Sequence, residues 1–140
     1  MYLDTSAAVP LYIAETESER CEAMVTGSEG LFSSELLLGE IQRALLAKEK
    51  NRQISAATRA AAWAKFEEHL SDGTIQLITL NGVIVREAVE VMRKVYPEVL
   101  LRTLDAIHLA TFLSVDAGPL FTRDRRMLEA AKQLGLPLAG

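Results

Sequence analysis

The sequence predicts an α/β fold built on a mostly parallel sheet. Short apolar runs ("MYLD", "GLFSS", "TIQLIT", "GPLFT") alternate with longer stretches of helical periodicity. Most periodic stretches carry a capping residue before them, and two stop at a glycine, Gly27 and Gly135. No linker, repeat or low-complexity tract interrupts the 140 residues, so one domain over 1–140 is expected, with helices on both faces of a small sheet.

In chain order, "MYLD" is a short strand that closes on Asp4. "SAAVPLYIAE" starts a short helix, with Pro10 tolerated in its early turns. "TESE" reads as a capping box, Thr16 capping and Glu19 reaching back, for a helix that stops at Gly27. After the strand "GLFSS", Ser33 or Ser34 caps "ELLLGEIQRALLAKEK", where Leu37, Ile41, Ala44 and Leu45 recur at helical spacing. Ser55 caps "AATRAAAWAKFEEHL", and "SDG" turns into the strand "TIQLIT". Asn81 caps "GVIVREAVEVMRKV", and Pro97 breaks the loop "YPEVLLR". The helix in "LRTLDAIHLATF" is apolar on nearly every side, with Thr103 its expected cap. "GPLFT" is a fourth strand, and "RDRRMLEAAKQLG" a helix that ends at Gly135. "LPLAG" suits a last edge strand, where Pro137 is tolerated.

Composition narrows the function classes. Apolar residues make up 49%, which excludes a disordered chain, and no apolar run approaches membrane-spanning length. A single cysteine, Cys21, excludes an internal disulfide framework and points to a reducing cytoplasm. "MYLD" reads as a strand from the first residue, so no signal peptide is expected. A net charge of −4 argues against a general polyanion binder, so any nucleic-acid contact needs a local basic patch. G-x-S-x-G, Walker A, G-x-G-x-x-G and C-x-x-C patterns are absent, which removes the common serine-hydrolase, NTPase, dinucleotide and zinc-ribbon readings.

Sites in open α/β sheets form beyond the C-terminal ends of the strands. Asp4 closes the first strand and Asp124 follows the fourth, while Asp105 lies in the first turn of the apolar helix, on the face of Leu109 and Phe112. Asp4 and Asp124 also suit helix caps, and Asp105 also favours a helix dipole. Glu40, with Leu36, Leu37 and Ala44 as helical neighbours, sits at the margin of a buried stripe and not opposite it. Converging carboxylates repel unless a cation joins them. A hard divalent ion, Mg2+ or Mn2+, takes such oxygen ligands and can activate water against a phosphodiester. Arg102, Arg123, Arg125 and Arg126 would rim this acidic centre and suit a phosphate backbone; a salt-bridged surface is the plainer reading. His108 is read as a helix-surface histidine or a neighbour of Asp105, His69 as exposed, and Cys21 as a packing residue.

The stretches "YLDTSA", "SSELLLGEIQRAL", "LRTLDAIHLA" and "LFTRDRRMLEAA" together resemble the PIN-domain ribonucleases, in particular the VapC-type toxins of toxin–antitoxin pairs. The matches come in the family's order and span nearly the whole chain. The resemblance implies a three-layer α/β/α sandwich with a parallel sheet of about five strands, ordered 3-2-1-4-5, so that strands one and four lie side by side. It implies that Asp4, Glu40, Asp105 and Asp124 form the acidic cluster, with Asp4 and Asp105 as direct metal ligands. Glu40 then acts through a water of the ion or orients the attacking one, and Asp124 holds a second ion or only a water. Thr5, Ser6 and Thr122 supply hydroxyls to phosphate or to a carboxylate. The implied reaction is metal-dependent hydrolysis of RNA to a 5′-phosphate and a 3′-hydroxyl. The implied partners are a small antitoxin and a second copy of the chain, meeting exposed apolar residues on helices of the first half. Two other readings compete: a receiver-type phosphoacceptor domain, and a degenerate PIN domain that only binds RNA or antitoxin. The receiver needs an acid at the end of strand three, where the chain has "LITLNG".

Overall fold

The computed structural model describes residues 1–140. Four strands, β1 (Tyr2–Leu3), β2 (Leu31–Ser34), β3 (Ile75–Ile78) and β4 (Leu120–Phe121), pair in parallel in the order β3-β2-β1-β4. The connections hold seven helices: α1 (Thr5–Ala8), α2 (Ser18–Val25), α3 (Leu36–Lys50), α4 (Ala56–Ser71), α5 (Gly82–Val95), α6 (Thr103–Leu113) and α7 (Arg125–Gln133). A 3-10 turn over Val9–Leu11 extends α1 and accommodates Pro10 near its start.

Alternation along the central strands explains the layers. Tyr2 and Leu120 point into one core with Val91, Leu109, Phe112 and Met127, drawn from α5, α6 and α7. Leu3 and Phe121 point into the other with Leu37, Ile41, Leu45 and Phe66, from α3 and α4. Strands buried on both faces read as apolar runs without alternation, which is why "YL" and "LF" look uniform. Full burial of one such side chain contributes about 1.5–3 kcal/mol. Two-residue strands are therefore held by their side chains more than by their own hydrogen bonds. Residues Ala106 to Phe112 of α6 are all buried, so this helix lies inside and has no solvent face. No helix is long and apolar enough to cross a membrane.

The expected fifth strand is reduced to a single bridge, Leu138 beside Leu120. Leu120 N–H donates to the Pro137 carbonyl at 2.8 Å, and Ala139 N–H donates to the Leu120 carbonyl at 2.9 Å. Pro137 has no N–H with which to lengthen the ladder.

Several expected helix ends form as read. Ser55 accepts the Thr58 N–H and Asn81 accepts the Ile84 N–H, both at 3.0 Å. Before α3 the expected serine cap shifts: the N-cap is Glu35, without a side-chain bond, while Ser34 Oγ accepts the Leu36 N–H at 3.2 Å from one residue earlier and Ser33 donates to the Leu3 carbonyl. After α7, Gly135 takes φ +67°, its N–H donates to the Lys132 carbonyl, and Leu136 N–H donates to the Ala131 carbonyl. That pair of bonds is a Schellman stop, which needs the left-handed backbone glycine supplies.

Two expected caps do not form. α2 starts at Ser18 after an uncapped Glu17, because the Ser18 hydroxyl takes the Glu15 N–H and donates to the Pro10 carbonyl. Thr16 and Glu19 make no capping box. α6 starts with Thr103 as its first helical residue, and the preceding Arg102 offers no side-chain cap. Cys21 is buried, as a packing residue should be. His69 is not free: its Nδ1 lies 2.9 Å from the Tyr12 hydroxyl.

Candidate active site

The C-terminal ends of β1 and β4 open onto a cleft of about 430 Å3. Asp4, Glu40, Asp105 and Asp124 all line it, together with Thr5, Ser6, Glu15, His108, Arg102 and Arg123. Parallel pairing of Leu3 with Phe121 brings Asp4 and Thr122 together, though the two lie far apart in sequence.

Asp4 is 3% exposed and caps α1 through the Ala7 N–H, 3.0 Å from Oδ1. The Ser6 hydroxyl donates to the same carboxylate, 2.7 Å from Oδ1, and Thr122 Oγ1 donates to Oδ2 at 2.6 Å. The capping role and the site role are therefore the same arrangement. Burial pushes the Asp4 carboxyl above its ordinary range, against the opposing pull of Thr122 and Ser6.

Asp124 caps α7, Oδ1 accepting the N–H groups of Arg126 at 2.8 Å and Met127 at 3.0 Å. Its own N–H donates to Ser6 Oγ and Thr122 Oγ1, each at 3.1 Å. Ser6 Oγ also takes the Arg123 N–H at 2.8 Å. Two hydroxyls thus stitch the end of β1 to the turn after β4. Both act on a carboxylate and its surrounding backbone, one of the two uses expected for them.

Asp105 differs. It lies in the first turn of α6, half-buried, and its Oδ2 is buried without any hydrogen-bond partner. Burial, then the nearby Asp124 charge, raises its pKa, while Arg102 and Arg126 oppose the shift. Thr5 Oγ1, also in the cleft, is likewise buried and unpartnered. A buried polar atom left unpaired costs about 1–3 kcal/mol.

Glu40 reaches the cleft from mid-α3, its side chain 23% exposed, with Oε1 2.6 Å from His108 Nε2. His108 is 2% exposed, and its Nδ1 lies 2.9 Å from the Tyr2 hydroxyl. The histidine is therefore interior, not on the helix surface. Both ring nitrogens are engaged, which leaves none for Asp105.

The arginines divide. Arg102 and Arg123 line the acidic cleft, while Arg125 and Arg126 line a neighbouring groove of about 600 Å3 that Arg102 and Asp124 share. Arg123 Nη1 donates to the Ser6 carbonyl at 3.1 Å and pairs with Glu15 at 3.4 Å. Arg125 pairs along its own helix with Glu129. Sequence reasoning missed Glu15, which also binds Lys48 at 2.7 Å. Burial works against its charge, yet Lys48 and Arg123 hold its carboxyl below the ordinary range. Nothing in the spacing around "YIAE" signals this, since both partners are distant in sequence.

The donor set fits a hard cation with retained water. No three His, Cys, Asp or Glu side chains form a ready-made ligand shell. Asp4 and Asp124 already accept several protein donors. Magnesium-type ions are usually held by one or two carboxylates plus waters, and the unpartnered Asp105 Oδ2 is a carboxylate oxygen that needs a partner.

A parallel sheet between helices, with acidic residues gathered beyond its strand ends, defines the class: an α/β/α domain with an acidic cleft. The PIN domain family model matches residues 1–133. Ribonuclease VapC46 of Mycobacterium tuberculosis is 38% identical to the chain over 141 residues, covering 97% of this chain and 93% of that protein. Ribonuclease VapC45 of the same organism is 29% identical, over 99% of this chain and 94% of its own length. Among solved structures, M. tuberculosis VapC20, described as a sarcin-ricin loop cleaving toxin, superposes with a TM-score of 0.71 at 17% identity. That superposition covers 92% of this chain and 93% of VapC20, and it bears on the fold alone. The chain belongs to the PIN domain family, as a VapC-type member.

Proposed function

We propose that this chain is the toxin of a toxin–antitoxin pair, an endoribonuclease that hydrolyses RNA phosphodiesters to 5′-phosphate and 3′-hydroxyl ends. One PIN domain over 1–140 carries the activity. The observation behind this reading is the gathering of Asp4, Glu40, Asp105 and Asp124 around a single cleft, two of them at adjacent strand ends.

In this reading Asp4 and Asp105 hold a Mg2+ ion, for which Mn2+ substitutes. Once bound, the ion supplies charge stabilisation at the phosphoryl oxygens and a more acidic water. The chain's own groups do the rest. Ser6, Thr122 and the Ala7 N–H fix Asp4, so little reorganisation is needed when the phosphate arrives. Glu40 accepts the proton of the attacking water or orients it. Asp124 orders water beside the reacting phosphate, or holds a second ion. Thr5 Oγ1 is free to donate to a phosphate oxygen. Arg102 and Arg123 meet the scissile phosphate, and Arg125 and Arg126 continue the basic track along the neighbouring groove.

Partners follow from the same reading: an RNA, a small antitoxin that blocks the cleft, and a second copy of the chain, all in the reducing cytoplasm. Exposed apolar residues in the first half are Leu38 and Leu46 on α3. A larger set lies later, at Val83, Val85 and Val89 on α5 and at Tyr96 and Leu100 beyond it. These exposed residues support α5 and its following loop, beside α3, as candidates for the contact surface. A receiver-type phosphoacceptor is disfavoured, because β3 ends without an acid and no lysine lines the cleft. The intact acidic set disfavours a degenerate, binding-only domain.

The test is cleavage of total bacterial RNA with Mg2+ or Mn2+ by the wild type, Asp4→Asn and Asp105→Asn, with cut sites read by sequencing of 5′ ends. Loss of about 100-fold or more is expected in both variants. Variants that cleave like the wild type would show that the centre lies elsewhere.

A further inference from the structure

Glu40 presents a problem of aim. A glutamate carries rotamer freedom worth about 1.5–2 kcal/mol, and this one is partly exposed in the middle of a helix. Its sole polar contact within the protein is His108 Nε2, at 2.6 Å. We propose that His108 is a positioning residue that acts through Glu40: a buried Tyr2–His108 pair holds one Glu40 oxygen and so sets the carboxylate's place in the cleft. The inference rests on the reading of Glu40 as part of the hydrolytic centre.

The geometry of the pair supports this. His108 sits on α6, where every neighbour from Ala106 to Phe112 is buried, so its ring cannot swing into solvent. Tyr2 is fully buried on β1 and meets the imidazole edge-on, with ring centroids 6.0 Å apart and an interplanar angle of 78°. Phe112 packs edge-on against the same tyrosine. A carboxylate only accepts, so Nε2 carries the hydrogen and donates to Glu40. In the neutral ring Nδ1 then accepts from the Tyr2 hydroxyl, a donor that can rotate to suit. Every polar atom of the ring is satisfied, and the donor direction is fixed by the core and not by the surface. The relay crosses three elements, β1, α6 and α3, to place one side chain.

A purely structural histidine would lower stability on removal whether or not Glu40 is present. A positioning histidine has no further effect on cleavage once Glu40 is disabled. Gln places its amide nitrogen near the position of Nε2, whereas Asn reaches only as far as Nδ1. His108→Gln therefore keeps the donor to Glu40, and His108→Asn removes it.

The experiment measures single-turnover cleavage of total bacterial RNA in Mn2+, with Mn2+ affinity by calorimetry, for the wild type, Glu40→Gln, His108→Gln, His108→Asn and the double variant Glu40→Gln/His108→Asn. His108→Asn should lose about 10–100-fold and His108→Gln less than about fivefold, with the Mn2+ affinity of His108→Asn shifting in the same direction as that of Glu40→Gln. The double variant should be no slower than Glu40→Gln alone. Losses that multiply in the double variant, or His108→Asn at wild-type rate beside a crippled Glu40→Gln, overturn the proposal. Glu40→Gln at wild-type rate would instead overturn the reading of Glu40 itself. Nitrogen-15 NMR of the wild-type imidazole gives a check that needs no variant to fold. A protonated Nε2 and bare Nδ1 are expected, and the opposite tautomer defeats the assignment.

Discussion

Asp4 and Asp105 line one cleft, yet their carboxylates live under opposite conditions. Asp4 is closed in by two hydroxyls and a helix N–H, all from its own chain. Asp105 keeps one buried oxygen with no partner at all. Burial raises the pKa of both, but only Asp105 is pushed further by a neighbouring acid, Asp124. The difference teaches a division of labour. The Asp4 side is held in shape by its own chain, and the Asp105 side keeps an unpartnered acceptor that the proposed ion would fill.

The sharpest way to break that comparison is to remove each carboxylate in turn. Asp105→Asn should cut RNA cleavage by about 100-fold or more while leaving the metal-free melting temperature undiminished. Asp4→Ala should lose cleavage and also about 2–3 kcal/mol of stability, since a cap and two buried hydroxyl bonds go with it. Urea unfolding separates the two, and equal destabilisation would erase the distinction. Next in size is Thr122→Val, which deletes the 2.6 Å donor to Asp4 without changing shape. A loss of about 1–2 kcal/mol in urea unfolding is expected, with cleavage reduced about tenfold.

The pH dependence of the metal-free protein sharpens the contrast further. Both aspartates have folded pKa values above those of the unfolded chain. The folded state therefore holds more protons between the ordinary aspartate value, about 4, and the raised folded values. Stability contributed this way is present at low pH and is lost as pH rises through the folded pKa. The melting temperature should rise as neutral metal-free protein is mildly acidified, and Asp105→Asn should flatten that rise. Glu15 works in the other direction: its depressed pKa gives stability that disappears only on stronger acidification. A melting temperature that falls steadily from neutral pH would contradict the raised values. The smallest effect belongs to Arg125→Ala, whose exposed pair with Glu129 is worth at most about 0.5 kcal/mol in thermal unfolding.

What the sequence could reveal follows from how local each feature is. Asp4 and Asp124 were legible because strand ends in a parallel sheet announce themselves as apolar runs followed by polar residues. Ser55 and Asn81 were legible as caps because each bonds an N–H three residues ahead. Thr16 and Thr103 fit the same pattern and do not cap. In the first case Ser18 ties the loop to Pro10 and starts the helix later; in the second the threonine is already helical. The shortened final strand turns on Pro137. His108 and Glu15 were the least legible, because their partners come from other elements. Tyr2 is 106 residues from His108 and Glu40 is 68, and no periodicity links such positions.

The stitch between Ser6, Thr122 and Asp124 has a consequence in time. Its two halves stand 116 to 118 residues apart in the chain. During synthesis Asp4 is made 118 residues before Thr122, and its carboxylate is not fully held until that hydroxyl arrives. An unfinished chain therefore carries most of the acidic residues but not the corner that orders them. The corner around Asp4 is therefore completed only after both halves of the fold have been made.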